Sequence, residues 1–403
     1  QALAAESLTS DFAPDFDTYP PLIQNIVRAC DGDVRKIYDL IHDHVAFQAY
    51  FGFKKSPEAT WRSRRGNDAD QAHLLVECLK AAGFVAEFEF GVIALPQSDA
   101  LDWFGVDSIA ALNTTTGSAG YLGGPNGGVY ALEQIWCAAF VDGTWIYLSP
   151  AYKTYEDIPG IDLEAAMGYS RTDLLTAAAG TETATYAESI DEPAVLSELE
   201  DQAMDLVQDL RQNHPTATFD EILSGRRIEK NPLASDYSNG FYAPGTFVAG
   251  NYDNFFFDDP TADYSFNGST YRFFPLVSFV VGEVTPSGDN FSNTPFLVEA
   301  GPSMFYTGQK VSLTFDPANQ NRAELRIDDQ VVTSETLPPT SNPIGLGVSI
   351  SHPFTRSAGS IYNEFRVRPV ERGGTYVIAF ETGGQGSADT RSEEHTSELQ
   401  SQI

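Results

Sequence analysis

The chain has 403 residues, room for two or three domains, and no apolar run near the roughly 18 residues a membrane-spanning helix requires. Its 56 acidic against 24 basic residues give a net charge of −32, which excludes phosphate backbones and anionic membranes as partners and reads as a solvated acidic coat. Three cysteines, Cys30, Cys78 and Cys137, form no C-x-x-C pair, so neither a disulfide framework nor structural zinc is expected.

Residues 1–19 read as an irregular, Asp-rich lead-in; with Gln1 first and no apolar leader, this end is expected to be a cut edge of something longer. From Pro20 the pattern is helical, with Leu22, Ile23, Ile26 and Val27 on one side. A second helix follows with Asp33 as N-cap and Val34, Ile37, Tyr38, Ile41 and Val45 as its inner stripe. His42 and His44 on that helix lie about 200° apart and share no metal-binding face. "SPEATW" starts a short helix with Ser56 as cap and Pro57 in its first position. Then "RRGNDADQAHLLVECLKAAG" gives a loop and a helix whose Ala72, Leu75, Cys78, Leu79 and Ala82 recur at helical spacing before Gly83 stops it.

Strand character begins at Phe84, where Phe84, Ala86, Phe88 and Phe90 alternate with Val85, Glu87 and Glu89. Residues 95–128 read as a helical insertion ending in a Gly-rich loop. "YALEQIWCAAFVDGTWIYLSP" reads as a β-hairpin turning at Asp142-Gly143. Residues 153–225 return to helix, clearest where Leu196, Leu199, Ala203, Leu206 and Leu210 form one stripe. Beyond residues 230–250, short alternating runs ("VSLTF", "AELRI", "IGLGVSI", "EFRVR", "TYVIAF") separated by turn residues predict an all-β, sandwich-like domain. "FFFDDPTADY" and "PSGDNFSN" are oxygen-rich but lack the D-x-D-x-D-G spacing of a calcium loop, and no metal or cofactor is expected. "RSEEHTSELQS" resembles a translated sequencing-library adapter, so residues 391–403 are set aside as non-native.

One constellation carries a specific resemblance. Gly66-Asn67-Asp68-Ala69-Asp70-Gln71-Ala72-His73-Leu74-Leu75 on a helix is followed by Gln134-Ile135-Trp136 on a strand, then by Trp145-Ile146-Tyr147-Leu148-Ser149-Pro150 closing the hairpin. Residues 33–153 thereby resemble the transglutaminase-like domain, a papain-related fold with G-x-C-x-D-x-A-x-L-L, H-x-W and W-x-x-x-D-P segments bearing a Cys-His-Asp triad. The scaffold positions match and the three catalytic ones depart: Cys becomes Asp68, His becomes Gln134, Asp becomes Ser149. "RRGNDADQAHLL" and the β-rich part further resemble modules of very large secreted bacterial proteins with Rhs/YD repeats. The resemblance implies an α+β fold, with a papain-like/transglutaminase-like domain over residues 20–230 followed by a sandwich-like domain over 231–390.

The triad chemistry needs a thiolate at a helix N-terminus, a strand-borne imidazole to take its proton and a carboxylate to orient the ring. Asp68 is expected instead to cap the helix, its carboxylate accepting first-turn N–H groups. Gln134 exchanges no proton near neutral pH, and Ser149 cannot hold an imidazolium. Loss of a nucleophile or base removes about 10⁶-fold in rate. No substitute is in place: His73 lies about 140° around the helix from Asp68, and Cys137 alternates away from the face of Gln134 and Trp136.

The expected role is non-catalytic. Asp68 would cap the helix, with Gln134 and Ser149 as polar fillers of a shared hydrogen-bond network; the alternative keeps Trp61, Asp68, Gln134, Trp136 and Ser149 as a candidate cleft for an extended peptide or glycan. Trp145 is expected in the hairpin core. The protein would serve as a structural or docking part of a larger exported polypeptide, outside the cell or at its surface, with other parts of that polypeptide among its partners. The rival reading is an acyl-transfer or peptide-hydrolysing enzyme with a rearranged site, for instance an Asp68–Asp70 pair, which diverges at its two-residue spacing.

Overall fold

The computed structural model describes residues 12–183, 185–230, 241–242, 246–247, 255–288, 290–316, 318–339, 342–352 and 363–380; the set-aside tail 391–403 lies outside them. Two compact units divide the chain, one formed by Thr154–Glu229 and the other by the residues before and after it. The described part of the lead-in is a single 3-10 turn, Phe16–Thr18, pinned by buried Phe16 stacking on Phe12 at 4.5 Å.

In the larger unit, four helices precede the first long strand: α1 (Pro21–Ala29), α2 (Val34–His44), α3 (Pro57–Ser63) and α4 (Asp68–Ala81). Their starts follow the predicted capping chemistry. The Asp33 carboxylate accepts the Arg35 and Lys36 N–H groups, and the Ser56 hydroxyl accepts that of Ala59. Helix α4 is buried nearly all round, and Gly83 at φ +92° takes the left-handed conformation that ends it. β1 (Val85–Pro96) follows, then α5 (Gln97–Phe104), α6 (Ile109–Ala119), β2 (Gly123–Asn126), β3 (Val129–Val141) and β4 (Thr144–Leu148). Asp142 (φ 50°) and Gly143 (φ 81°) make the expected β3–β4 turn, both left-handed as a two-residue hairpin requires.

The smaller unit is closed by β5 (Tyr155–Ile158) pairing antiparallel with β6 (Gly225–Ile228), and it holds α7 (Leu163–Ala166), α8 (Arg171–Ala178) and α9 (Glu192–Asn213). The apolar stripe of α9 is only partly used. Leu206 and Leu210 are half-buried, whereas Leu196, Leu199 and Ala203 are exposed, because α7 and α8 pack against the neighbouring flank that carries buried Gln202.

The chain beyond the smaller unit returns to the first sheet before building the second domain. β7 (Phe241–Tyr242) pairs with β4, while β8 (Thr246–Phe247) and β9 (Phe255–Phe257) pair with β1. A seven-stranded sheet results, in the order β7-β4-β3-β1-β8, with β9 on β1 and β2 on β3. The boundary expected at 230 thus separates residues that one sheet unites, since Phe257 stacks on Phe88 and Phe255 packs tilted against Phe90 of β1. Each fully buried aromatic of this kind contributes about 2–3 kcal/mol.

A hairpin, β10 (Asp263–Phe266) and β11 (Ser269–Arg272), leads into the sandwich. Its strands are β12 (Leu276–Glu283), β13 (Leu297–Pro302), β14 (Val311–Asp316), β15 (Asn319–Ile327), β16 (Gln330–Thr336), β17 (Ile344–Ser351), β18 (Asn363–Val370) and β19 (Thr375–Ile378). They form two four-stranded antiparallel sheets, β13-β12-β17-β18 and β16-β15-β14-β19. Alternate residues point inward: Val277, Phe279 and Val281 of β12 meet Val311 and Leu313 of β14 and Leu325 of β15 in the shared core. The α+β fold with a β-rich C-terminal part is therefore as the sequence implied.

Candidate functional site

The site must lie where α4 begins, against the middle of β3. Along one edge β3 pairs with β2 through residues 129–132 and with β4 through 137–141. Between those partners the edge is open, and its N–H groups need other acceptors. The Glu133 N–H finds the Leu122 carbonyl, and the Ile135 N–H finds the Asp68 carboxylate.

Asp68 is not the cap of α4. That place belongs to Asn67, whose Oδ1 accepts the Asp70 N–H at 2.8 Å while its Nδ2 donates to the Tyr50 and Gly52 carbonyls at 2.7 and 2.9 Å. Asp68 follows in the first helical position, and its carboxylate, held near the backbone N–H groups of Asp68 and Ala69, also bonds outside the helix. Oδ2 accepts the Ile135 N–H at 2.7 Å and Oδ1 accepts the Tyr121 hydroxyl at 2.6 Å. The side chain ties the helix start, the gap in the β3 edge and the chain entering β2 together. Burial pushes its pKa up to about 6, against the hydrogen bonds, which act to lower it.

Asp70 turns to the other side. Its Oδ2 accepts the Tyr50 hydroxyl at 2.6 Å, and its Oδ1 accepts the Lys54 and Lys55 N–H groups at 2.8 and 3.0 Å. The segment so held also meets the sandwich, where Ser303 Oγ and Thr307 Oγ1 donate to the Lys54 carbonyl at 3.2 and 2.9 Å. The two carboxylates thus have separate partners and form no acid–base pair.

The expected network among Asp68, Gln134 and Ser149 does not form. His73 of α4 meets the Phe88 ring at 5.7 Å, and Cys137 stands directly opposite Phe88, so Phe88, Ile135 and Cys137 face the helix. Strand alternation then puts Gln134 and Trp136 on the sheet's other face. Gln134 Nε2 and Ser149 Oγ are buried and find no hydrogen-bond partner among the described residues. Ser149 contributes its carbonyl instead, which accepts the Tyr38 hydroxyl at 3.2 Å.

The proposed cleft is closed. Asp68, Gln134, Trp136 and Ser149 are all buried, and Trp136 Nε1 donates to Glu89 Oε2 at 2.9 Å. Trp61 stands apart on α3, half-buried, with the Arg64 guanidinium 3.5 Å from its ring centre. The physical reason is filling: the open strand edge that a groove would need is occupied by the Asp68 carboxylate and the Tyr121 hydroxyl. Trp145, as expected, packs in the hairpin against Phe140 and Phe256.

The three thiols are free and buried; burial raises Cys30 to about 11 and also pushes Cys78 and Cys137 well above the ordinary thiol value. His73 sits between Phe53 and Phe88, its Nδ1 without a partner among the described residues and its pKa lowered to about 3 by burial. His42 bonds Asp43 through Nδ1 at 2.9 Å, and burial lowers its pKa too. Buried Lys153, also driven well below its ordinary pKa by desolvation, donates to the His42 and Pro150 carbonyls and joins α2 to the turn after β4.

Sequence reasoning missed Tyr121, Tyr50, Glu89 and Lys153. The first two are hydroxyls meeting acids 53 and 20 positions away, which no local spacing encodes. Glu89 carried a misleading signal, since alternation with Phe88 and Phe90 marks it as facing solvent.

Residues 24–150, about a third of the chain, match the family model of the transglutaminase-like superfamily. That span runs from α1 to the end of the β3–β4 hairpin and includes α4, β3 and residues 68, 134 and 149, so this part of the chain is a transglutaminase-like domain. No curated protein and no solved structure matches the chain.

Proposed function

We propose that the transglutaminase-like domain is non-catalytic and serves as a structural and docking element. One observation carries the reading. At the nucleophile position stands a carboxylate that is 1% exposed and engaged by Tyr121 and Ile135, so the site is spent on holding the fold together. A carboxylate so bound is a poor nucleophile, and acyl transfer to it would give an anhydride that reverts. The buried thiols support the same reading, because only the thiolate attacks. The Asp70-held segment, bonded in turn to the sandwich, suits a rigid mount rather than an opening cleft.

The wider setting is part of the proposal: a module of a large exported bacterial polypeptide of the Rhs/YD-repeat kind, facing the cell exterior. The acidic surface and the "RRGNDADQAHLL" segment support it. The uninterrupted reading frame tests this setting; a frame with neither an export signal nor repeats removes it.

The test of the non-catalytic reading is amine incorporation into a glutamine-rich protein, run beside peptide hydrolysis with the purified full chain. The expected result is no turnover above a protein-free control. Turnover abolished by iodoacetamide overturns the proposal, as does turnover lost in a folded Asp68→Ala variant.

A further inference from the structure

The face of the first sheet turned away from α4 carries an unpaired carboxyl group. Glu89 of β1 stands across from Trp136 on one side and Phe256 on the other, all three on that face. Its residue is 4% exposed, yet it makes no ion pair among the described residues. Oε2 accepts the Trp136 Nε1–H, and Oε1 accepts no hydrogen bond from the described residues. Buried carboxylates are normally paired, and an unpaired one costs several kcal/mol. Burial raises this one to about 7, so it ionises near neutrality once a cation is at hand.

The surroundings specify the cation. Around Glu89 the same face presents Phe140, Trp145, Tyr147 and Phe256. Phe140 and Phe256 are exposed (40% and 46%), and Trp145 and Tyr147 are half-buried. Trp145 meets Phe140 at 5.5 Å and Phe256 at 5.9 Å, with ring planes 60° and 42° apart. Rings so tilted pack against one another edge-on or at a slant and present no flat platform of the kind on which a sugar stacks. A metal ion would demand several oxygen ligands, and the frame is mostly carbon. Aromatic faces beside a carboxylate suit a bulky, weakly hydrated organic cation. Glu87, two residues along and half-buried on the same face, adds negative potential.

We propose that this face binds a methylated ammonium group, seated on the Trp145 and Phe256 rings and neutralised by the free oxygen of Glu89. The site shares the sheet face of Gln134 and Trp136, on the side turned away from α4 and Asp68.

Ligand-observed NMR with choline and the full chain, in 0.15 M salt to screen diffuse attraction, tests the site. A second probe is the uncharged isostere with a tert-butyl group in place of trimethylammonium. The expected result is saturable broadening of the choline methyl signal, with affinity about tenfold weaker for the isostere. Glu89→Gln keeps an acceptor for Trp136 and should lose choline binding by a similar factor, as should Trp145→Leu. Phe256→Ser, at an exposed ring, replaces the latter if the hairpin is disturbed. Equal binding of the isostere, unchanged binding in folded Glu89→Gln, or no saturable broadening each overturns the proposal.

Discussion

Replacing Asp68 by Asn changes one atom and isolates the buried charge at the start of α4. The carboxylate accepts two donors; an amide can accept one and must turn its own donor toward the other, a loss of about 1–3 kcal/mol. The pH dependence is the sharper signature. Asp68 rises from 3.8 to about 6 on folding, so the folded state holds its proton more tightly than the unfolded chain does. Its contribution is fully present below pH ~4 and is lost as pH rises through ~6, about 3 kcal/mol in all, of which about 1 kcal/mol lies between pH 5 and 7. Urea unfolding of both proteins across that range reads the difference directly. Wild type should lose about 1 kcal/mol relative to Asp68→Asn on going from pH 5 to pH 7. A flat difference refutes the reasoning, and a rising one means an ion-paired carboxylate with a depressed pKa.

Asp70→Ala strands the Tyr50 hydroxyl and two backbone N–H groups, and should cost about 3–5 kcal/mol with new proteolytic cleavage between residues 50 and 55; an unchanged digestion pattern contradicts the clamp. Asn67→Ala removes a cap and two side-chain donors, so a loss of about 2–3 kcal/mol in denaturant unfolding is expected. His73→Leu should be neutral or stabilising at pH 7 and should reduce acid sensitivity. The folded-state pKa of about 3 lies below the unfolded 6.5, so wild type loses stability as pH falls below 6.5. Thermal melts of the pair at pH 5 and 7 check the sign.

Local rules carried the fold far. Caps at Asp33 and Ser56, the Gly83 stop and the Asp142-Gly143 turn were legible because each depends on residues a few positions apart. Asp68 and Asn67 show the limit of such reading: both are good capping residues, and which one caps is settled by where Tyr121 and Ile135 stand. The sequence could not reveal that Gln134 and Ser149 share no bond among the described residues, since the face each occupies depends on the packing of α4. Glu89 was missed because alternation cannot reveal that the second face of a sheet is also filled.

The hydrogen bond from the Glu229 N–H to the Thr154 carbonyl, at 3.0 Å, gives the smaller unit adjoining entry and exit points. A stretch anchored in that way behaves like a cassette spliced into its host. The distance its host must bridge on excision is that of a single hydrogen bond, so a short glycine link could stand in for residues 155–228. A gene halted at residue 150, by contrast, would strip β9 from its neighbour and leave a sticky β1 flank prone to clumping.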